Sequence, residues 1–309
     1  MLEMYELLAT APFDLYELSL FHLVVKHRSF TRAAEVAGVT QSAITRQMQG
    51  MENSLGIDLL ERTTRNVRVT AAGEFLFHEA TRLLGDVDQS LRRLKEDFGD
   101  ARKEIRIGVS RSIGLAHLPG FFHANLRRVT KVSYRVAYQS SSEILSALEA
   151  HELDLGVICP PPRLPRTVAI THRFADRFVL VADAGSATEF QALPKSRATR
   201  RAWLERQSWL LLEESTNTGR ELRKWISHLG LKIEPQMQLD NFDLLITLVA
   251  LGMGISFVPV RALALYGRKR NLSRIALAEK FERELVVVMR RHRKQPEHLR
   301  NFVKNILFG

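Results

Sequence analysis

The 309-residue chain is long enough for two or three domains with cores of their own, and its formal charge of +11 points to an anionic partner. Residues 1–70 hold seven Lys/Arg against eight Asp/Glu while residues 261–309 hold thirteen against four, so nucleic-acid binding has to be argued from placement, and the basic carboxy-terminal stretch reads as a solvated face or a subunit contact rather than a second nucleic-acid site. The single cysteine excludes an intrachain disulfide, the longest apolar run (244–260) falls short of the ~20 residues of a membrane helix, and no basic-then-apolar leader opens the chain; these point to the cytoplasm and to no membrane partner.

Residues 1–17 carry no clear assignment. From Ser29 onward the spacing predicts a helix capped by Ser29 or Thr31, with Ala33, Ala34, Val36 and Ala37 as small apolar faces. Gly38 breaks it, because a tight turn between crossed helices needs a left-handed backbone. Thr40 caps a second helix whose apolar residues Ile44, Met48, Met51 and Leu55 recur every three or four positions and face inward. The opposite face carries Gln41, Ser42, Thr45, Arg46 and Gln49, hydrogen-bonders that suit base edges and phosphates. Two short extended runs, 59–62 and 67–70, flank a turn at 63–66. That wing places Arg62, Arg65 and Arg68 near one tip, where guanidiniums suit phosphates beside a groove. The plainer alternative, a compact helical domain with a solvated basic loop, explains neither the polar helix face nor the arginine wing.

These residues carry a resemblance. Phe21, Ser29–Phe30, Ala33–Ala34, the run from Thr40 to Arg46, Leu55–Gly56, the run from Leu59 to Arg62, and the run from Thr70 to Gly73 resemble the amino-terminal domain of the LysR-type transcriptional regulators, over residues 18–98. Residues 104–309 are similar, through a weaker motif, to that family's effector-binding domain. The family usually has Pro where Ser42 stands and Ser where Thr45 stands, which bears on base preference. The resemblance implies an α/β chain in three parts: a winged helix-turn-helix DNA-binding domain (1–70), a linker and dimerisation helix (71–98), and a two-lobed periplasmic-binding-protein-like effector domain (104–309). The lobes are expected at about 104–165 with 276–309, and at about 166–275. The partners implied are double-stranded DNA with a dyad-symmetric site, a small-molecule effector, further copies of the chain in a homodimer or homotetramer, and RNA polymerase.

Thr70 caps a predicted helix over 71–98, with Leu76, Ala80, Leu83, Val87, Leu91, Leu94 and Phe98 spaced by threes and fours. This seam pairs with its copy in another subunit or packs on its own chain; pairing is the stronger reading, because about 28 residues span roughly 42 Å. After a hinge at 99–103, strands alternate with helices, the pattern of a mainly parallel sheet. Strands are expected at 104–110, 132–139, 153–159, 177–182, 209–212, 234–239 and 284–291. Helices are expected near 117–128, 142–151, 218–229 and 297–307, with a helix–strand unit at 242–259 and a crossing at 160–165.

Ligands of such sheets bind outside the carboxyl ends of strands, near helix starts. Five strand ends fit: Ser110, Arg111 and Ser112; Ser140, Ser141 and Ser142; Cys159; Ser215, Thr216 and Asn217; and Phe257. Their recurrence favours a cleft for a small, anionic organic effector over five separate N-caps. Arg111 either meets the anion or is a surface arginine. Cys159 ends an apolar strand and has no resolving partner, so it reads as a buried structural thiol rather than a redox sensor. The histidines lack metal-ligand spacing, and Gly252–Met253–Gly254 is no dinucleotide fingerprint, so no enzyme activity, metal or cofactor is expected. Two functions remain open: a ligand-gated transcription factor, and an architectural or constitutive DNA-binding protein with a degenerate cleft.

Overall fold

The computed structural model describes residues 10–62, 67–99, 102–114, 132–266, 271–291 and 295–306. Arg65, the side chain of Arg62 and the helix expected near 117–128 lie outside them. The chain divides into two units, residues 1–100 and 101–309.

In the first unit, α1 (Leu15–His27) starts at a capping box in which Asp14 accepts from the Glu17 backbone and Glu17 returns the bond to Asp14. Residues 15–17, left unassigned by sequence reasoning, are thus helical. α2 (Phe30–Ala37) is capped by Ser29 and ends at Gly38, whose φ of 69° is the left-handed geometry expected there. α3 (Gln41–Leu55) is capped by Thr40. Ile44, Met48 and Met51 are buried with Leu18, Phe21, Val24, Ala33 and Ala34 in one core, and Leu55 packs at its margin. Val36 departs from expectation: it is 52% exposed. β1 (Leu60–Arg62) and β2 (Val67–Val69) form the antiparallel wing.

Buried Glu52 ties α3 to this wing, accepting from the Leu59 and Leu60 amides, each at 2.9 Å. α4 (Ala71–Phe98) starts from a Thr70 side-chain cap and runs 28 residues. Ala80 is buried against the unit's own core, with Leu76 and Leu84 partly covered. Beyond them, Leu83, Val87, Leu91, Leu94 and Phe98 are exposed.

The second unit holds two sheets' worth of core. β3 (Lys103–Ser110) pairs parallel with β4 (Val132–Gln139), and Ser110 lies level with Gln139. It also pairs parallel with β5 (Leu155–Ile158), and α5 (Ser141–Glu149) lies between β4 and β5 in the chain. β6 (Val168–Ala182) is a 15-residue strand. Next come α6 (Ala184–Ala192), α7 (Arg197–Arg206), β7 (Trp209–Leu212), α8 (Asn217–His228), β8 (Pro235–Leu239), α9 (Phe242–Ala250) and β9 (Ser256–Pro259). A 3₁₀ segment follows, then β10 (Ser273–Ile275), β11 (Glu282–Arg290) and α10 (Glu297–Ile306).

The sheet is mixed rather than mainly parallel, because β6 and β11 run in opposite directions between the lobes and pair antiparallel. β6 stays on β11 through Arg177, then pairs with β9 and β10 from Phe178 onward. The first lobe's sheet therefore takes in residues 168–177, which the boundary expected at 165/166 gave to the second lobe. An unbroken strand carries no turn signal at that crossing. Alternating residues of β11 fill opposite faces: Leu285, Val287 and Met289 meet α10, whereas Val286 and Val288 meet α5. The second lobe has its own core around Trp203, Trp209, Phe242 and Phe257.

Candidate DNA-reading face and ligand cleft

On the first unit, Thr40, Gln41, Ser42, Thr45, Arg46 and Gln49 share one shallow concavity along α3. Helical spacing explains this for positions 42, 45, 46 and 49, which turn away from Ile44, Met48 and Met51, while Gln41 is exposed in the first turn. Their hydrogen-bonding states differ. Thr45 Oγ1 donates to the Gln41 carbonyl at 2.9 Å. Thr31 Oγ1 donates to Gln41 Oε1 at 3.2 Å and so orients the Gln41 amide. Thr40 is spent on the cap, with Ala43 N donating to Oγ1 at 3.2 Å. Arg46 is exposed. Arg68 is exposed on β2, directly across from Glu61 on β1, so its charge is partly offset.

In the second unit a cavity of about 770 Å³ gathers ten of the eleven expected effector residues: Ser110, Arg111, Ser112, Ser140, Ser141, Ser142, Cys159, Ser215, Thr216 and Asn217. The eleventh, Phe257, lies elsewhere. It is buried in the second lobe's core, stacked on Trp209 at 5.4 Å and edge-on to Trp225 at 5.0 Å. It is the second residue of β9, and all four residues of that strand are buried, so its side chain packs into the core rather than the cleft.

The walls are built from caps. Ser140 accepts from Glu143 N, and Glu143 reaches back to Ser140 N at 2.7 Å, a capping box that starts α5 at the cavity. The bonds from Ser140, with smaller help from Arg111, hold the Glu143 carboxyl below its ordinary range. Thr216 caps α8 by accepting from Gly219 N at 2.9 Å. Gly219 is required there, since a Cβ would meet the Glu213 carbonyl oxygen at 1.9 Å. Among the described residues, Ser110 Oγ and Gln139 Oε1, at the level ends of β3 and β4, are buried at the cleft without a hydrogen-bond partner.

Several contacts cross between the lobes. Arg111 donates to Asp240 at 3.2 Å, so of the two readings the arginine is already paired. Asn217 donates to the Cys159 carbonyl at 2.9 Å, which also accepts from Ser141 Oγ at 3.4 Å. Deepest lies Arg283, fully buried on β11. Its Nε donates to Asp176 at 2.9 Å, Nη1 to Thr218 Oγ1 at 2.6 Å and Ser112 Oγ at 3.1 Å, and Nη2 to the Ser112 carbonyl at 2.9 Å. Its guanidinium also lies 5.1 Å from the Phe178 ring centroid. The Ser112 hydroxyl is thus engaged by Arg283. Cys159 is buried, and burial, reinforced by Glu221, pushes its thiol up to about 12.

Sequence reasoning missed Gln139, Asp240, Thr218, Asp176 and Arg283. Gln139 directly precedes the serine triplet at a strand end, an available signal; Arg283 lies between Glu282 and Glu284 at the charged start of β11, where it reads as a surface residue. Asp176 sits inside a long strand and gave none.

Two family models match. A bacterial regulatory helix-turn-helix protein model of the lysR family covers residues 15–74, and the LysR substrate binding domain covers residues 98–307. The chain belongs to the LysR family of transcriptional regulators. It is a DNA-binding regulator with a substrate-binding domain.

Among relatives, it is similar to the RuBisCO operon transcriptional regulator of Allochromatium vinosum, 27% identical over 84% of this chain and 83% of that protein. It is also similar to the HTH-type transcriptional regulator PtxR of Pseudomonas aeruginosa, 33% identical over 48% of this chain and 47% of that protein. Of solved structures, full-length CbnR complexed with its target DNA matches with a TM-score of 0.65 at 22% identity, covering 95% of this chain and 99% of that one. Full-length OxyR from Pseudomonas aeruginosa matches with a TM-score of 0.66 at 19% identity, covering 95% and 94%. At these identities the structures establish the shared fold. None of the described helices is long and apolar enough to cross a membrane.

Proposed function

We propose that this LysR-type regulator reads a dyad-symmetric site on duplex DNA through Gln41, Ser42, Thr45, Arg46 and Gln49, with Thr40, Arg62, Arg65 and Arg68 at flanking phosphates, and that a small polar organic effector in the cleft gates the outcome. The carrying observation is the pair of buried groups without a partner among the described residues, Ser110 Oγ and Gln139 Oε1 at adjacent strand ends, inside the cavity that ten expected residues line. Buried polar atoms are ordinarily satisfied, so a ligand with both a donor and an acceptor is the fitting occupant. The start of α5 beside them favours an anionic end on that ligand, such as a carboxylate.

Pairing through the exposed seam of α4 would give a homodimer, and dimers of dimers a homotetramer, with two reading helices placed on half-sites. The protein would work in the cytoplasm, with RNA polymerase as a further partner. An effector alters transcription only by preferring one arrangement over another, and a preference of ~1.4–2.7 kcal/mol shifts the state ratio ten- to a hundredfold.

The test is a thermal-shift screen of small organic acids, with and without operator DNA, followed by Gln139→Ala and Ser110→Ala. Stabilisation by a carboxylate that both variants lose supports the reading. A screen in which nothing stabilises the protein, with operator binding intact, favours the architectural or constitutive alternative.

A further inference from the structure

The family reading leaves the chain's charge unexplained. Residues 1–100, the unit with the reading helix, carry 11 Lys/Arg and 15 Asp/Glu, a net charge of −4. Residues 101–309 carry 34 and 19, a net charge of +15. The unit that must meet a polyanion repels it at long range, and the whole cationic excess sits in the other unit.

That excess has a focus. Residues 290–304 hold six Lys/Arg and one acid, Glu297. Here α10 buries Leu299, Phe302 and Val303 on the first lobe's sheet, with Phe302 against Tyr134 at 5.1 Å. Amphipathic geometry then turns Arg300 and Lys304, four residues apart, outward together, and both are exposed. Arg291, just after β11, is exposed as well, and among the described residues its side chain contacts the Val168 carbonyl at 3.5 Å. By contrast, exposed Arg173 and Arg177 on β6 are each matched by a glutamate of β11.

We propose that the basic carboxy-terminal surface formed by Arg291, Arg300 and Lys304 is a second DNA-binding surface, which holds the phosphate backbone of duplex DNA without reading its sequence. Each cation that neutralises a phosphate releases a condensed counterion, so the second unit adds to the salt-dependent part of affinity that Arg62, Arg65 and Arg68 supply in the first. DNA is the partner that this charge division favours over an acidic protein. It is already the ligand of the first unit, whose −4 charge opposes long-range attraction to it.

The experiment uses the full-length protein and a random-sequence duplex without an operator, with affinity measured across a salt series. The variant Arg291→Ser/Arg300→Ser/Lys304→Ser is compared with Lys195→Ser/Arg197→Ser/Arg206→Ser, which removes three exposed cations elsewhere on the same unit. Circular dichroism and melting confirm that both fold. The first variant is expected to flatten the slope of log affinity against log salt by about 2–3, so that between 50 and 200 mM salt it loses about 40-fold less affinity than the wild type does. The second is expected to change the slope by less than about one. An unchanged slope in the first variant, or equal flattening in both, overturns the proposal; the second result would reduce it to an effect of net charge. Neither result bears on operator recognition, which is read separately from the Arg46→Ala variant on operator DNA.

Discussion

Gln41 and Arg46 stand on the outward side of α3, and neither supports the core formed by Ile44 and Met48. Gln41→Ala and Arg46→Ala are therefore expected to melt like the wild type while each loses ~1–3 kcal/mol of operator affinity, less any share borne by water. Normal operator binding by Arg46→Ala in a mobility-shift titration would show that the groove assignment is wrong. Ser112 teaches the opposite case. Sequence reasoning offered it to the effector, and its position in the cavity agrees, but its hydroxyl accepts from buried Arg283 at 3.1 Å. Ser112→Ala is thus expected to cost ~1.5–3 kcal/mol of stability, the range for a hydrogen bond to a charged group, before any effect on ligand response. Denaturant titration reads that cost; an unchanged midpoint would release Ser112 back to the ligand. Nothing in a serine's local sequence reveals an arginine 171 positions away. Cys159 was legible, since an apolar strand end implies burial. With its thiol pushed up to about 12, it is expected to resist iodoacetamide at pH 8 in the folded protein and to react once unfolded.

At the scale of elements, what could be read in advance was whatever local chemistry sets. The helix over 71–98 appears with those bounds because Thr70 accepts from Gly73 N at 3.0 Å and Gly99 follows the last turn. The same chemistry lay unread at Asp14 and Glu17, four residues that spell a capping box. What could not be read was set by distant pairing: the continuity of β6 across both lobes follows from its register with β11, more than a hundred residues on. The α4 seam shows both levels at once. Periodicity marked Leu76 through Phe98 as one stripe, yet Ala80 is buried in the unit's own core whereas Leu83, Leu91 and Phe98 are 42%, 54% and 85% exposed. Only the distal part is free to pair with a second copy. Leu83→Glu with Leu91→Glu is expected to give monomers by light scattering and to lose operator binding in the same sample, because each half-site alone holds too few contacts. A wild-type mass for that variant would place the subunit contact elsewhere.

At the scale of the whole second unit, the question is what holds the cleft at its present opening. Among the ties that span it are Arg111 to Asp240, Asn217 to the Cys159 carbonyl, and Arg283 between Asp176, Ser112 and Thr218. They differ in what solvent leaves of them. The Arg111 and Asp240 side chains are 55% and 40% exposed, so their pairing is screened and worth well under about 1 kcal/mol. Arg283 and Asp176 are wholly buried, and removing either strands a charge, which costs ~3–5 kcal/mol. The buried tie therefore reads as a fixed hinge and the exposed one as the adjustable latch. Asp240→Asn keeps the shape of the side chain and removes its charge. It is expected to leave the melting temperature within about 2 °C of wild type. The same change should speed hydrogen exchange at the backbone amides of the Ser110–Ser112 and Ser140–Ser142 loops if the latch holds the opening between them. An anionic effector should bind this variant more tightly, because a carboxylate is gone and Arg111 is released to meet the ligand. If exchange in those loops is unchanged and the affinity for a carboxylate found by screening falls, Asp240 acts on the ligand directly rather than on the opening between lobes.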